Sequence, residues 1–365
     1  MIDYVNLSRD YLADRKNILK IIDKSLKSGN WVGGDDIFLF EKNISKYTGS
    51  KYCVALNSGT DALTLSLYIL GIKKGDEVIT TPNSFIASTA VIMHLGAKPV
   101  FVDVDKDQNI DVSQIEKKIT NKTKAILPVH LTGKLSNMHE ICKISKKYKL
   151  KIVEDAAQAI GSKYKKKHAG TFGDIGCFSA HPLKNLNALG DAGYLITSNQ
   201  KYYNRAKKLI NHGMKKRGLV EEFGFVSRMD NIQAAVLNHK IKNLDNIIKI
   251  RQKNAKLYSK LLSQKFVEVP FDEKGYFSTY HTFVIKVDKR DLLKNYLFKN
   301  GISTSIHYPI PIHLQKASRS LGYKKGDFPI AENQSKRILT LPINQHLSEK
   351  NIRYIANKIN KFYEQ

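Results

Sequence analysis

Between residues 51 and 180 short β-branched runs alternate with helical patterns, and this alternation constrains the fold more than any other feature of the chain. "KYCVAL" reads as a strand, and "GTDALTLSLYILG" follows with apolar residues at helical spacing and a closing glycine. "DEVITTP", "KPVFVDVD", "TKAILPVH", "LKIVEDAAQ" and "DIGCFSA" read as further strands, with helices in "SFIASTAVIMHLG" and "NMHEICKISKKYKL". The order predicts an α/β domain around a mostly parallel sheet. After about residue 235 the pattern changes. "LNHKIKNLDNIIKIRQKNAKLYSKLLSQ" reads as one long helical stretch. "YHTFVIKV" is strand-like, "RDLLKNYLFKNG" helical, "ISTSIHYPIPIH" extended, and "SEKNIRYIANKINKFYEQ" helical. A smaller α+β domain is expected there, dividing the 365 residues into 1–235 and 236–365.

Several function classes fall away. The three cysteines, Cys53, Cys142 and Cys177, are scattered and form no CxxC pair. Neither a disulfide framework nor a zinc site is expected, and no other metal site is suggested. The start, "MIDYVNLSRDYLADRK", has acids early and no apolar core, unlike a secretory leader. No apolar run approaches the roughly 20 residues of a membrane span, so a cytoplasmic protein is expected. The net charge of +27 invites a nucleic-acid partner. Only ten of the 60 basic residues are arginine, the side chain suited to bidentate phosphate and base contacts. The lysines lie in short scattered clusters, so nucleic acid is not the expected partner, although a positive field attracts anionic substrates.

Three segments carry possible chemistry. In "ALNSGTDAL" a strand ends near Leu56 and a helix begins near Thr60 or Asp61. Ser58, Gly59 and Thr60 then stand where free N–H groups and the helix dipole attract an anion. An ordinary N-cap reads the same way, and neither a P-loop nor a GxGxxG pattern is present. In "KIVEDAAQAIGSKY", Asp155 lies at the carboxyl end of an apolar strand, where open parallel sheets bind ligands. Glu154 and Asp155 alternate in direction, so one of them faces a site, unless Asp155 merely caps a helix. In "CFSAHPLKNLNALGDAG", Lys184 sits among small and apolar residues, beside Ser179 and His181. Desolvation there lowers an amine's pKa and makes it nucleophilic, whereas a lysine snorkelling from a loop needs no function. Together the three parts suit pyridoxal phosphate, with an amine for the Schiff base, an acid for the pyridinium and a nest for the phosphate.

The chain resembles the DegT/StrS-type sugar aminotransferases, within the fold type I pyridoxal-phosphate enzymes. The likeness runs from "SGNWVGGDDIFLFEKNISKYTGSKYCVALNSGTDAL" through "TTPNSFIAS", "VEDAAQAIGSKY", "GTFGDIGCFSAHPLKNLNALGDAGYLIT" and "SRMDNIQAAVL" to "HYPIPIHLQ". The resemblance implies a large domain with a mostly parallel sheet, a small C-terminal α+β domain, and a homodimer with shared active sites. It implies that Lys184 forms the Schiff base and shuttles protons, and that Asp155 pairs with the ring nitrogen. Gln158 approaches the ring hydroxyl, Phe85 stacks on the ring, and Ser58, Gly59, Thr60 and Ser179 hold the phosphate. Arg228 grips a substrate anion at the neighbouring subunit's site. Tyr308, His313 and His181 line the sugar side. The implied substrates are L-glutamate and a nucleotide-linked 3- or 4-keto-6-deoxy sugar, for surface polysaccharide, with pyridoxamine phosphate as intermediate.

Two positions depart from the family pattern. An asparagine two residues before the arginine commonly reaches the phosphate across the dimer, but here Val226 stands there, so Ser227 or a backbone group is expected to substitute. The usual "GDGG" is "GDAG", with Ala192. Two other readings compete. The dehydratase branch of the family replaces the lysine by histidine, and Lys184 argues against it. A basic nucleic-acid-binding or regulatory protein that only borrows the fold predicts steep salt dependence and no bound cofactor.

Overall fold

The computed structural model describes residues 1–364. Two helices, α1 (Leu7–Lys27) and α2 (Asp35–Thr48), open the chain. Strands and helices then alternate: β1 (Tyr52–Leu56), α3 (Gly59–Ile69), β2 (Glu77–Thr80), α4 (Ala87–His94), β3 (Lys98–Phe101), β4 (Thr123–Ile126), α5 (Met138–Tyr148) and β5 (Lys151–Asp155). A short hairpin, β6 (Lys163–Tyr164) and β7 (Lys167–His168), precedes β8 (Ile175–Ser179), β9 (Gly193–Thr197) and α6 (Gln200–Leu209). The large sheet has seven strands in the order β1-β9-β8-β5-β4-β2-β3. Only β9 runs against its neighbours, so the mostly parallel sheet read from the sequence is present.

Both faces of this sheet are covered, which explains the near-continuous apolar strands. Side chains alternate between two cores: Cys53 and Ala55 join the layer with α2 and α5, while Val54 and Leu56 join the layer with α3 and α6. The same split divides Ile152 from Val153 and Phe178 from Cys177.

A second exposed hairpin, β10 (Met214–Lys216) and β11 (Leu219–Val220), leads to α7 (Asn231–Lys240) and α8 (Leu244–Leu261). The stretch expected as one long helix is thus two, joined by a 3-10 turn over Ile241–Asn243. The polar "KN" of that turn has weak helix preference at Asn243, whose backbone leaves the helical region. The remaining strands are β12 (Val267–Glu268), β13 (Tyr276–Phe277), which pairs with β6, and β14 (Phe283–Val287). Then come α9 (Arg290–Lys299), α10 (Pro329–Arg337), β15 (Ile338–Leu341) and α11 (Glu349–Glu364). Strands β12, β14 and β15 form a small antiparallel sheet whose core includes Tyr258 of α8, Leu293 of α9 and Ile355 of α11. No helix among the described residues is long and apolar enough to cross a membrane.

Candidate active site

The strand directions bring the candidate residues to one edge. β1, β5 and β8 all end there, and the antiparallel β9 begins there. Ser58, Asp155, Ser179 and Gly193 therefore converge from four segments that are far apart in sequence. Ser58, Asp155 and Ser179 line a cavity of about 460 Å³.

The floor at β1 is an anion cup. Ser58 caps α3, its hydroxyl accepting from the Asp61 N–H at 3.0 Å. The helix starts at Gly59, one residue before the expected start. The first-turn N–H groups of Gly59 and Thr60 have no intrahelical acceptor, and the positive end of the helix dipole points the same way. Ser179 accepts the His181 N–H at 3.3 Å through its hydroxyl oxygen, which leaves its proton free to donate. Glycine permits the close approach of these parts. A Cβ on Gly59 would stand 2.8 Å from that of Ser179, and one on Gly193 would stand 2.2 Å from the Ser58 carbonyl carbon. The alanine of "GDAG" is accommodated without a left-handed backbone and lies buried at the cavity wall.

Glu154 and Asp155 do face opposite ways. Glu154 is fully buried and accepts from the N–H groups of Gly170, Phe172 and Gly173 and from His130 Nε2. It fixes the turn before β8. Asp155 faces the cavity, and no helix follows it, so it is not a helix cap. Its Oδ2 accepts from Ser88 at 2.7 Å and its Oδ1 from the Ala157 N–H at 3.2 Å. These bonds hold the carboxylate plane and leave lone pairs for a ligand.

Lys184 lines the cavity, and burial pulls its amine from the ordinary 10.5 down to about 8, with the negative charge of Asp155 opposing the fall. The loop around it is tightly built. Lys184 donates its N–H to His181 O, and Ala188 donates to Ala180 O, both at 2.8 Å. Gln158 accepts from the Thr132 N–H at 2.8 Å and reaches the Tyr308 hydroxyl at 3.5 Å. Phe85 stands exposed at the mouth, its ring 6.2 Å from that of Tyr308. His181 also lines the wall.

One residue expected at the substrate side, His313, lies elsewhere. His313 is buried outside the cavity, bonded to Glu332 at 3.0 Å and edge-on to Phe328. The chain turns away after Pro311 into a short 3-10 helix, which carries His313 inward. Arg228 does not reach the cavity of its own chain and donates to Asn211 Oδ1 at 3.0 Å. Ser227 is not free to replace the missing asparagine. It is buried, and its hydroxyl is held by Asp61 at 2.6 Å and Asn57 at 3.0 Å of the same chain.

Other groups at the wall were not anticipated. Tyr4, Arg251, His281, His307 and Asn344 all border the cavity. Burial and the nearby Lys184 charge push His307 down to about 4 and His281 well below the ordinary histidine value, so both are neutral at pH 7. Ser88, buried in the first turn of α4, also went unread.

A desolvated lysine and an acid at a strand end, beside a helix-terminal anion cup on this sheet, define the fold type I pyridoxal-phosphate transferase architecture. Comparison with known proteins supplies the family: a model of the DegT/DnrJ/EryC1/StrS aminotransferase family matches residues 13–360, and the chain belongs to that family. A protein of Geobacillus stearothermophilus named "Pleiotropic regulatory protein" is 39% identical over 363 residues, with 98% of each chain covered. The dTDP-3-amino-3,6-dideoxy-alpha-D-galactopyranose transaminase of Aneurinibacillus thermoaerophilus is 38% identical over 365 residues, with 99% of each covered. Among solved structures, DesV of S. venezuelae, in complex with a ketimine intermediate, superposes with a TM-score of 0.97 at 33% identity, covering 100% of this chain and 99% of that one.

Proposed function

We propose that the protein uses pyridoxal phosphate to transfer an amino group from L-glutamate to a nucleotide-linked 3- or 4-keto-6-deoxy sugar, for surface polysaccharide. The observation that carries this reading is Lys184, an amine of lowered basicity in the same cavity as Asp155 and the Ser58–Thr60 cup. When bound, the cofactor supplies an aldehyde for imine exchange and a ring that takes up electrons. Gly59 and Thr60 N–H groups, with the hydroxyls of Ser58, Thr60 and Ser179, hold its phosphate. Asp155, oriented by Ser88, keeps a proton on the ring nitrogen. Gln158 approaches the ring hydroxyl and Phe85 covers the ring face. Lys184, as a neutral amine, would take a proton from the donor's α-carbon and deliver it two atoms away, to the carbon on the far side of the amino nitrogen. Tyr308 and His181 face the sugar, and Arg228 serves the site of a second copy in a homodimer. Three free cysteines, two of them buried, suit a cytoplasmic location.

The test incubates the purified protein and L-glutamate with a panel of nucleotide-linked 3- and 4-keto-6-deoxy sugars and reads products by mass and NMR. One aminated sugar with equimolar 2-oxoglutarate is expected. No amination of any panel member from any amino acid overturns the reading. The Geobacillus relative is named a regulatory protein, and the second reading is a basic regulator that borrows the fold to bind nucleic acid, against the scattered lysines and few arginines. That reading predicts specific binding that falls steeply with salt and survives Lys184→Ala.

A further inference from the structure

The loop carrying Lys184 is stiff within itself, and its face towards α1 borders open space. Asn187 Nδ2 donates to Pro182 O at 2.9 Å and so staples the two arms of the loop on either side of Lys184. Behind the loop, Pro182, Asn187 and Leu189 border a second cavity of about 760 Å³, whose far wall is α1. Leu186 and Ala188 anchor the inner side of the loop in the core of the large sheet, whereas on the side facing α1 a polar junction, not apolar packing, spans the gap.

Asp10 of α1 is at its centre. Its Oδ1 accepts from Gln345 Nε2 at 2.9 Å and from His346 Nε2 at 3.2 Å, both in the segment after β15. Its Oδ2 faces Asn187 Nδ2 at 3.4 Å and the ammonium of Lys240, on α7, at 3.5 Å. Lys240 in turn donates to Asn187 Oδ1 at 2.9 Å. Gln345 passes the connection on by accepting from Arg251, which donates to the carbonyl of the cavity residue His281. One carboxylate thus joins the first helix, the lysine loop, α7 and the small sheet's exit. Lys240 and His346 hold it ionised, below the ordinary aspartate value, against the opposing effect of burial.

We propose that Asp10 is a positioning residue that registers the Lys184 loop against the small domain, acting through Asn187 and Lys240. The inference rests on Lys184 being the reacting amine. Asp10 touches neither substrate nor cofactor, and its effect is to keep Lys184 deep enough to remain desolvated.

The test uses the full chain with Asp10→Asn, Asn187→Ala, the double variant and Asp14→Asn. The last breaks the 2.6 Å contact of α1 with His239 without touching the loop. Three quantities are read: kcat and KM, thermal unfolding, and the pH midpoint of Lys184 acetylation by trace acetic anhydride in protein stripped of cofactor. Asp10→Asn should lower kcat by about ten- to hundredfold with KM within about twofold. It should also move the labelling midpoint up from about 8 towards 10.5. The double variant should be no worse than the worse single one, because both act through one junction. An unchanged midpoint with unchanged kcat overturns the proposal. So does an equal effect of Asp14→Asn, which would make α1 a general staple, or additive losses in the double variant. Should Asp10→Asn fail to fold, Asn187→Ala alone must shift the midpoint. The labelling readout needs no turnover, so a wrong reaction assignment would show separately, as sugar amination that survives Lys184→Ala.

Discussion

Lys184 destabilises the protein without cofactor. Its folded pKa of about 8 lies below the ordinary 10.5, so between these values the unfolded chain binds more protons there. The destabilisation is complete below pH 8 and fades as pH rises towards 10.5. Lys184→Met should therefore abolish transamination yet raise the stability of the cofactor-free protein at pH 7 by about 1–2 kcal/mol, discounted for the open cavity. The gain should vanish by pH 10.5. Denaturant unfolding at both pH values checks it, and a loss of stability at pH 7 would contradict it. Lys184 and Asp155 were legible as candidates because each sits in an odd local context, a lone lysine among small residues and an acid at a strand end, whereas Gln158 entered only through the family resemblance. Arg251 and Tyr4 had no such signal, since each borders the cavity only through tertiary packing, Arg251 held by the Tyr280 and His281 carbonyls and Tyr4 set against His307.

At the scale of elements, the anion cup depends on glycine at two places with different consequences. Gly59→Ala would stand 2.8 Å from the Ser179 Cβ and 3.1 Å from its Cα, a milder overlap that a small shift of the β8 end relieves, so the protein should fold but bind pyridoxal phosphate about tenfold more weakly, by absorbance titration. Gly193→Ala would strike the backbone between Ser58 and Gly59. Overpacking of that kind costs about 1–3 kcal/mol, and a visibly lower melting temperature is expected with the cup lost. Equal behaviour of the two variants would refute this distinction. The alternating strands and helices from β1 to β5, and β8, were readable from periodicity, whereas the two opening helices, the short hairpins and the antiparallel β9 were not. The break between α7 and α8 was not, because Ile241 and Leu244 continue the apolar spacing across it. His313 was misplaced for a related reason. A motif shows order along the chain but not the turn after Pro311 that sends the ring inward.

For the whole molecule, the β10–β11 hairpin and the segment after it expose Leu219, Val220, Phe223, Phe225 and Val226, with Phe223 94% exposed. Such a contiguous apolar patch marks an interaction surface. Taken with the homodimer proposed above, it predicts that Phe223→Asp shifts the protein to monomer in sedimentation at micromolar concentration and lowers activity in step. A monomeric wild type, or a dimeric Phe223→Asp, would count against it. The dimer could not be derived from residue patterns alone, because exposure is a property of the folded surface.

The adjacent carboxylates at the end of β5 have a consequence for how such a gene can change. One anchors a turn behind the sheet and the other looks into the cavity, so their roles are set by parity along the strand. A single-codon deletion within Lys151–Asp155 would exchange inside and outside at once, and descendants of this chain can vary that strand only by replacement, never by length.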